Sequence, residues 1–263
     1  MKQSHTQSLR TVFAMTALTV AWLSLSSCCS APQCDSCCAV QSAAAAPGTP
    51  AVTTQAAPAA PKEEAPVKNG EEALQRLMEG NKRFVAFKLH KPNANEERRQ
   101  ELDKGQQPFA TIFSCVDSRV PPELVFDRGL GDLFVTRTAG QVADKSVLGS
   151  IEYGAEHLHI PLLMILGHTN CGAVKATIET VESNGHVEGN VGALIDGIRP
   201  AVVKAKTAGG GDLLDKAVRA NVELAVERMK NVPALSNDVK LGHLKIVGAV
   251  YNLDSGVVEI TVP

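Results

Sequence analysis

The chain has 263 residues, 44% of them hydrophobic and 21% charged, with a formal net charge of −2. That is too little apolar content for a multi-span membrane protein and too much for a disordered chain, and the length allows one or two domains with a sizeable core. One Trp and two Tyr make no aromatic platform for single-stranded nucleic acid, and 26 Lys and Arg against 28 Asp and Glu lack the basic excess that phosphate backbones select.

The chain opens with Lys2 and Arg10 in a polar segment, followed by the uncharged apolar run Thr11 to Leu25. Fifteen residues are too few to span a bilayer as a helix, which takes about 20. A basic opening and a short apolar core read as a secretory signal. Leu25-Ser26-Ser27-Cys28 resembles the bacterial lipobox. That resemblance implies removal of residues 1–27, acylation of Cys28 and anchoring to a bacterial membrane, in an exported, periplasmic setting. An ordinary signal cleaved near Ser30 or Ala31 is the other reading. Five of the seven Cys lie at 28, 29, 34, 37 and 38. Cys34 and Cys37 form a C-x2-C, but no strand and helix flank it as a thioredoxin-like dithiol requires. Disulfides, idle thiols or a small metal-collecting site remain for this cluster. Residues 39–66 hold 11 Ala and 5 Pro in 28 positions. Proline breaks any alanine helix, so 28–68 is expected to be a semi-rigid tether.

The folded domain is expected over 69–263. Leu74, Leu77, Met78, Phe84 and Val85 follow helical spacing. Strands are expected at 109–115, 132–139, 162–169 and 244–253, with a short terminal strand at 257–262 after the Asp254-Ser255-Gly256 turn. Helical patterns occupy 148–158, 171–181, 191–204 and 213–229, and Gly209, Gly210 and Gly211 form a joint between the last two. This alternation predicts an α/β fold, a mainly parallel central sheet flanked by helices. Such sheets bind ligands at the carboxyl ends of their strands. Two short motifs fall there: Cys115-Val116-Asp117-Ser118-Arg119 after the first strand and His168-Thr169-Asn170-Cys171 after the third.

Thiolate and imidazole together suit zinc, which prefers tetrahedral sulfur and nitrogen donors. Cys115, His168 and Cys171 would supply three ligands and leave a fourth position for solvent, as a catalytic zinc requires. Cys171 would open a helix, whose dipole favours its thiolate. Asp117 could close the site as a fourth ligand. It could instead pair with the fork of Arg119 and accept a hydrogen bond from a zinc-bound water.

The spacings C-x-D-x-R and H-x2-C, with Gly80 to Phe84, Arg119-Val120-Pro121, Gly131 to Val135, Ala139-Gly140 and Gly167 to Gly172, resemble the β-class carbonic anhydrases across residues 69–263. The resemblance implies reversible hydration of carbon dioxide to bicarbonate and a proton by hydroxide on one zinc per chain, in a homodimer or dimer of dimers. It assigns Cys115, His168 and Cys171 to the metal, with Asp117 joining them only in a closed state that Arg119 releases. Gln106 takes the place of a glutamine that donates to substrate oxygen across a dimer interface. The Gly172 amide is a further donor, and Val142 and Phe109 are candidates for an apolar wall. One branch of the family binds bicarbonate in a regulatory pocket of Trp, Arg and Tyr. Arg137 and Tyr251 match two of those places, but Ile112 stands at the third, so no such regulation is expected. Arg137 and Tyr251 are then read as a salt-bridged arginine and a packed strand aromatic. A site of this kind also suits carbonyl sulfide or carbon disulfide, and a closed set of ligands would make a non-catalytic zinc module. The remaining His residues read as solvated or packed.

Overall fold

The computed structural model describes residues 65–263. The expected signal, the lipobox cysteine Cys28, the cluster Cys29 to Cys38 and the tether up to residue 64 lie outside the described residues. The Asn69 side chain accepts hydrogen bonds from the amides of Glu71 and Glu72 and caps α1 (Gly70–Val85). Glu71 and Glu72 in the first turn and Lys82 and Arg83 in the last complement the helix dipole.

Five strands form one sheet: β1 (Ala110–Cys115), β2 (Leu133–Thr138), β3 (Leu162–His168), β4 (Lys245–Tyr251) and β5 (Val258–Val262). Their order is β2-β1-β3-β4-β5, with β5 antiparallel to β4 and every other pairing parallel. β1 and β3 are buried throughout, which explains why they read as unbroken apolar runs. β2 is an edge strand, half-buried along its length.

The side-chain period of two splits each strand between two cores. Ile112, Met164, Leu166 and Val247 face α1 and the short α3 (Pro122–Val125), packing with Leu77 and Phe126. Phe113, Ile165, Ile246 and Val250 face the opposite layer. That layer holds α4 (Lys145–Glu156), α5 (Gly172–Glu182), α6 (Gly189–Ala208), α7 (Leu213–Lys230) and α8 (Pro233–Lys240). Each large apolar side chain fully buried in this way stabilises the fold by about 1.5–3 kcal/mol.

The expected strands and long helices are present, with ends that differ by four residues at most. Gly209, Gly210 and Gly211 join α6 to α7, all in the left-handed region at φ 60°, 63° and 66°. Among the described residues, three helices had no counterpart in the sequence reading. The polar α2 (Glu96–Leu102) buries no residue and so carries no apolar period. α3 and α8 are short and are signalled by a proline at their first helical position. α6 runs through Pro200 and is longer than its apolar pattern. Among the described residues no helix is long and apolar enough to cross a membrane.

Candidate metal centre

Parallel strands deliver their C-terminal residues to one edge of the sheet. β1 ends at Cys115 and β3 at His168, and the strands lie side by side, Ser114 opposite Leu166. The turn after β3 is fixed from β4, because the Thr169 amide donates to the Tyr251 carbonyl at 3.0 Å and Thr169 Oγ1 accepts from the Leu253 amide at 3.0 Å. Asn170 takes a left-handed φ of 54°, which reverses the chain so that Cys171 becomes the N-cap of α5. Cys115, His168 and Cys171 are thereby brought together. All three are buried, and their sulfur and nitrogen ligand atoms lie within 4.8 Å of one another.

The imidazole shows what this cluster is suited to. His168 Nδ1 lies 2.9 Å from the Thr169 carbonyl, which can only accept, so Nδ1 carries the proton. Nε2 then presents a lone pair, yet it is buried and has no hydrogen-bond partner. A buried basic nitrogen without a hydrogen-bond donor, beside two sulfurs, is a donor set suited to a metal ion. The two thiols point the same way. The hydrogen bond from Cys171 holds Cys115 well below the ordinary thiol range; burial opposes this, and His168 and the amides of Gly140 and Asp117 assist. Cys171 is pushed up because its S–H donates a hydrogen bond to the Cys115 sulfur and because it is buried. A donor set of two sulfurs and one nitrogen suits zinc, which binds thiolates and would displace thiol protons.

Asp117 is outside the cluster. Its Oδ1 accepts from Arg119 Nε at 2.9 Å and from the Arg119 amide at 3.0 Å, and its Oδ2 accepts from Arg119 Nη2 at 2.7 Å. These bonds to Arg119 hold the carboxyl well below the usual carboxylate range. Oδ2 is also 3.9 Å from His168 Nε2, so the carboxylate borders the metal position while the guanidinium holds it away. The pairing with Arg119 is one of the two roles considered for Asp117 from the sequence. Gly172 follows Cys171 at the start of α5, and apart from its chain neighbours and its own helix backbone nothing lies within 4 Å of where a Cβ would stand. Free space therefore adjoins its backbone.

Several expected neighbours are elsewhere. Gln106 precedes β1 and lines an exposed cleft with Arg99, Leu102 and Leu130. The six residues of β1, about 3.3 Å each, separate it from Cys115, so it cannot serve the cluster of its own chain. Phe109 is at the same far end, beneath the guanidinium groups of Arg76 and Arg128 at 5.3 and 5.5 Å, and is no wall of this site. Val142 lies against Gly197 of α6, beside the turn that follows β2. Arg137 is not engaged as the expected salt bridge. Its Nε donates to the Cys115 carbonyl at 2.8 Å and its Nη2 to the Asp117 carbonyl at 2.7 Å, clamping the loop that carries both residues. Tyr251 packs on Phe84 with ring centroids 6.4 Å apart, as a strand aromatic would. Sequence reasoning missed the role of Gly140, whose amide donates to Cys115 Sγ at 3.3 Å. Its only signal is the Ala139-Gly140 pair after a strand.

A parallel sheet whose strand ends gather two thiols and an imidazole, next to an ionised Asp–Arg pair, has the makings of an α/β enzyme with a site able to hold a metal. Comparison with known proteins narrows this. The carbonic anhydrase family profile matches residues 110–258. The chain is 41% identical to carbonic anhydrase 2 of Mycobacterium tuberculosis over 184 residues, covering 70% of this chain and 89% of that protein. It is 40% identical to a carbonic anhydrase of Mycolicibacterium smegmatis over 196 residues, covering 74% and 95%. Among solved structures, the β-carbonic anhydrase CcaA superposes with a TM-score of 0.55 at 26% identity, over 72% of this chain and 99% of that one. The chain belongs to the β-class carbonic anhydrase family.

Proposed function

We propose that this chain catalyses the reversible hydration of carbon dioxide to bicarbonate and a proton, with one zinc ion held by Cys115, His168 and Cys171. The observation that carries the reading is the unpartnered, buried Nε2 of His168 facing two thiols, with Asp117 drawn aside by Arg119 so that a fourth corner stays free. Bound there, zinc supplies Lewis acidity that brings the pKa of a coordinated water to ~7.

The protein's own groups do the rest. Asp117, ionised through its bonds to Arg119, accepts a hydrogen bond from the nucleophile and orients its remaining lone pair toward carbon dioxide. Arg119 keeps that carboxylate from occupying the solvent corner. The Gly172 amide, at a helix start with open space beside it, is placed to donate to a substrate oxygen. Gln106, remote from the cluster of its own chain, takes part only in a homodimer or a dimer of dimers that brings a second copy's Gln106 over this site. The basic opening, short apolar run and Cys28 support export and lipid anchoring, with residues 28–68 as the tether.

Metal analysis of the purified chain together with stopped-flow carbon dioxide hydration tests the reading. One tight zinc per chain with hydration lost on chelation is expected. Hydrolysis of carbonyl sulfide or carbon disulfide without carbon dioxide hydration would overturn the substrate, and a zinc-loaded chain inert toward all three gases would overturn catalysis.

A further inference from the structure

We propose that Asn221, on α7, is a positioning residue that sets the electron density of the Cys115 sulfur by holding Gly140 in place. This rests on the zinc reading above and adds a residue to it that touches neither metal nor substrate.

Asn221 is 7% exposed, among the apolar buried residues of α7 that include Ala217, Val218, Val222 and Val226. A buried amide among apolar residues needs a partner, and asparagine is a poor helix former. Its Nδ2 donates to the Gly140 carbonyl at 2.9 Å, 81 residues away in the chain. On its other side Gly140 donates its amide to Cys115 Sγ at 3.3 Å. One residue therefore links the helix to the thiolate through a bond at each end.

Gly140 has to be glycine. Its φ is 63°, and a Cβ would stand 2.5 Å from Ile198 Cδ1 and 3.2 Å from the Ala173 Cβ. The same freedom makes glycine the residue of this turn most able to change its backbone angles. The turn is pinned nearby by Thr138 Oγ1 donating to the Val142 carbonyl at 2.8 Å, but that bond does not reach the Gly140 peptide itself. The Asn221 bond fixes the Gly140 carbonyl, and through φ and ψ the direction of its amide. An N–H aimed at a thiolate withdraws electron density from sulfur. It weakens repulsion between the two anionic ligands and leaves a bound cation more acidic. Cys115 is thus held from both directions, its carbonyl by Arg137 and its sulfur by Gly140.

The test replaces Asn221 in the full chain by leucine, which has nearly the same shape and no donor. The readouts are zinc retention against a chelator and the sulfur-to-cobalt charge-transfer band of the cobalt-substituted protein. Val226→Ala, further along α7 and packed near Gly248, serves as the control that loses stability without touching Gly140. Asn221→Leu is expected to hold zinc about tenfold more weakly and to move the cobalt band to lower energy. Val226→Ala should leave the band where it is. If Asn221→Leu fails to fold, Asn221→Ser, too short to reach Gly140, carries the same expectation. An unmoved band and wild-type zinc retention in the folded Asn221 variant would overturn the proposal, as would an equal band shift in Val226→Ala. A wild-type chain that takes up neither zinc nor cobalt would instead sink the zinc reading, and this proposal with it.

Discussion

Asp117→Asn separates the charge of one carboxylate from its shape. In the native site the Arg119 fork gives Asp117 two side-chain hydrogen bonds, at 2.9 and 2.7 Å, and the Arg119 amide adds a third at 3.0 Å. An amide at this position keeps one accepting oxygen and turns an NH2 group toward Arg119 Nη2. One arm of the fork is lost, and the remaining oxygen accepts far more weakly than a carboxylate. A positioned proton acceptor contributes about 10²–10⁴-fold to rate. The lower end applies here, because Asp117 orients the nucleophile while buffer can carry the proton away. Hydration should fall about 100-fold, or about 2.7 kcal/mol of barrier. Zinc content should not change, since Asp117 is outside the cluster of Cys115, His168 and Cys171. The wild-type pH–rate profile carries a matching expectation. Arg119 holds the Asp117 carboxyl well below its usual range, so it is ionised throughout the neutral region and contributes no inflection between about pH 5 and 9. Stopped-flow hydration with parallel metal analysis decides the matter. Activity equal to wild type would refute the orienting role. Zinc lost in step with activity would show that the carboxylate is a ligand after all.

Two further outcomes follow from buried charge. Chelating the metal should expose a pair of sulfurs close enough to bridge, so a mild thiol oxidant should join Cys115 to Cys171, the pair passing two electrons to the oxidant and releasing its thiol protons. Zinc-loaded protein should resist, and equal loss of alkylatable thiol in both forms would count against shared ligation. Asp127 accepts from Arg83 Nε at 2.6 Å and from the amides of His90 and Lys91 at 3.0 and 2.9 Å. Burial raises its pKa, but these bonds outweigh that and leave it depressed. Its contribution is therefore full above the unfolded-state value of about 3.9 and fades as pH falls through the native value. Asp127→Asn should cost about 2–3 kcal/mol near neutral pH, a gap in thermal stability that narrows in acid; a gap independent of pH would refute the linkage.

The fold was legible wherever burial imposes a period on the sequence. β1 and β3 are covered on both faces and so read as solid apolar runs, and α7 shows its buried stripe at helical spacing. Legibility failed where an element buries little. α2 is a run of charged and polar residues whose only sequence mark is the cap Asn95, which accepts from the Arg98 amide. The helical pattern at 191–204 runs through Pro200, whose neighbours Ile198, Ala201 and Val202 are buried, and packing of that face carries the helix past the missing amide.

The site divides along the same physical line. A metal donor comes from a few residue types, and a charged group beside it from a few ionisable ones. Cys115, Asp117, Arg119, His168 and Cys171 could therefore be named from two short motifs, and the structure brings all five to one sheet edge. What orients those groups has no such chemical signature. Arg137 acts through two backbone carbonyls that any sequence would offer, and Asn221 acts through a third carbonyl 81 residues away. The sequence offers only weak anomalies: a glycine after a strand, an asparagine among apolar helix residues, an arginine with no acidic neighbour in register. Each marks a place where local preference yields to a distant contact, and there only a folded chain can say which contact won.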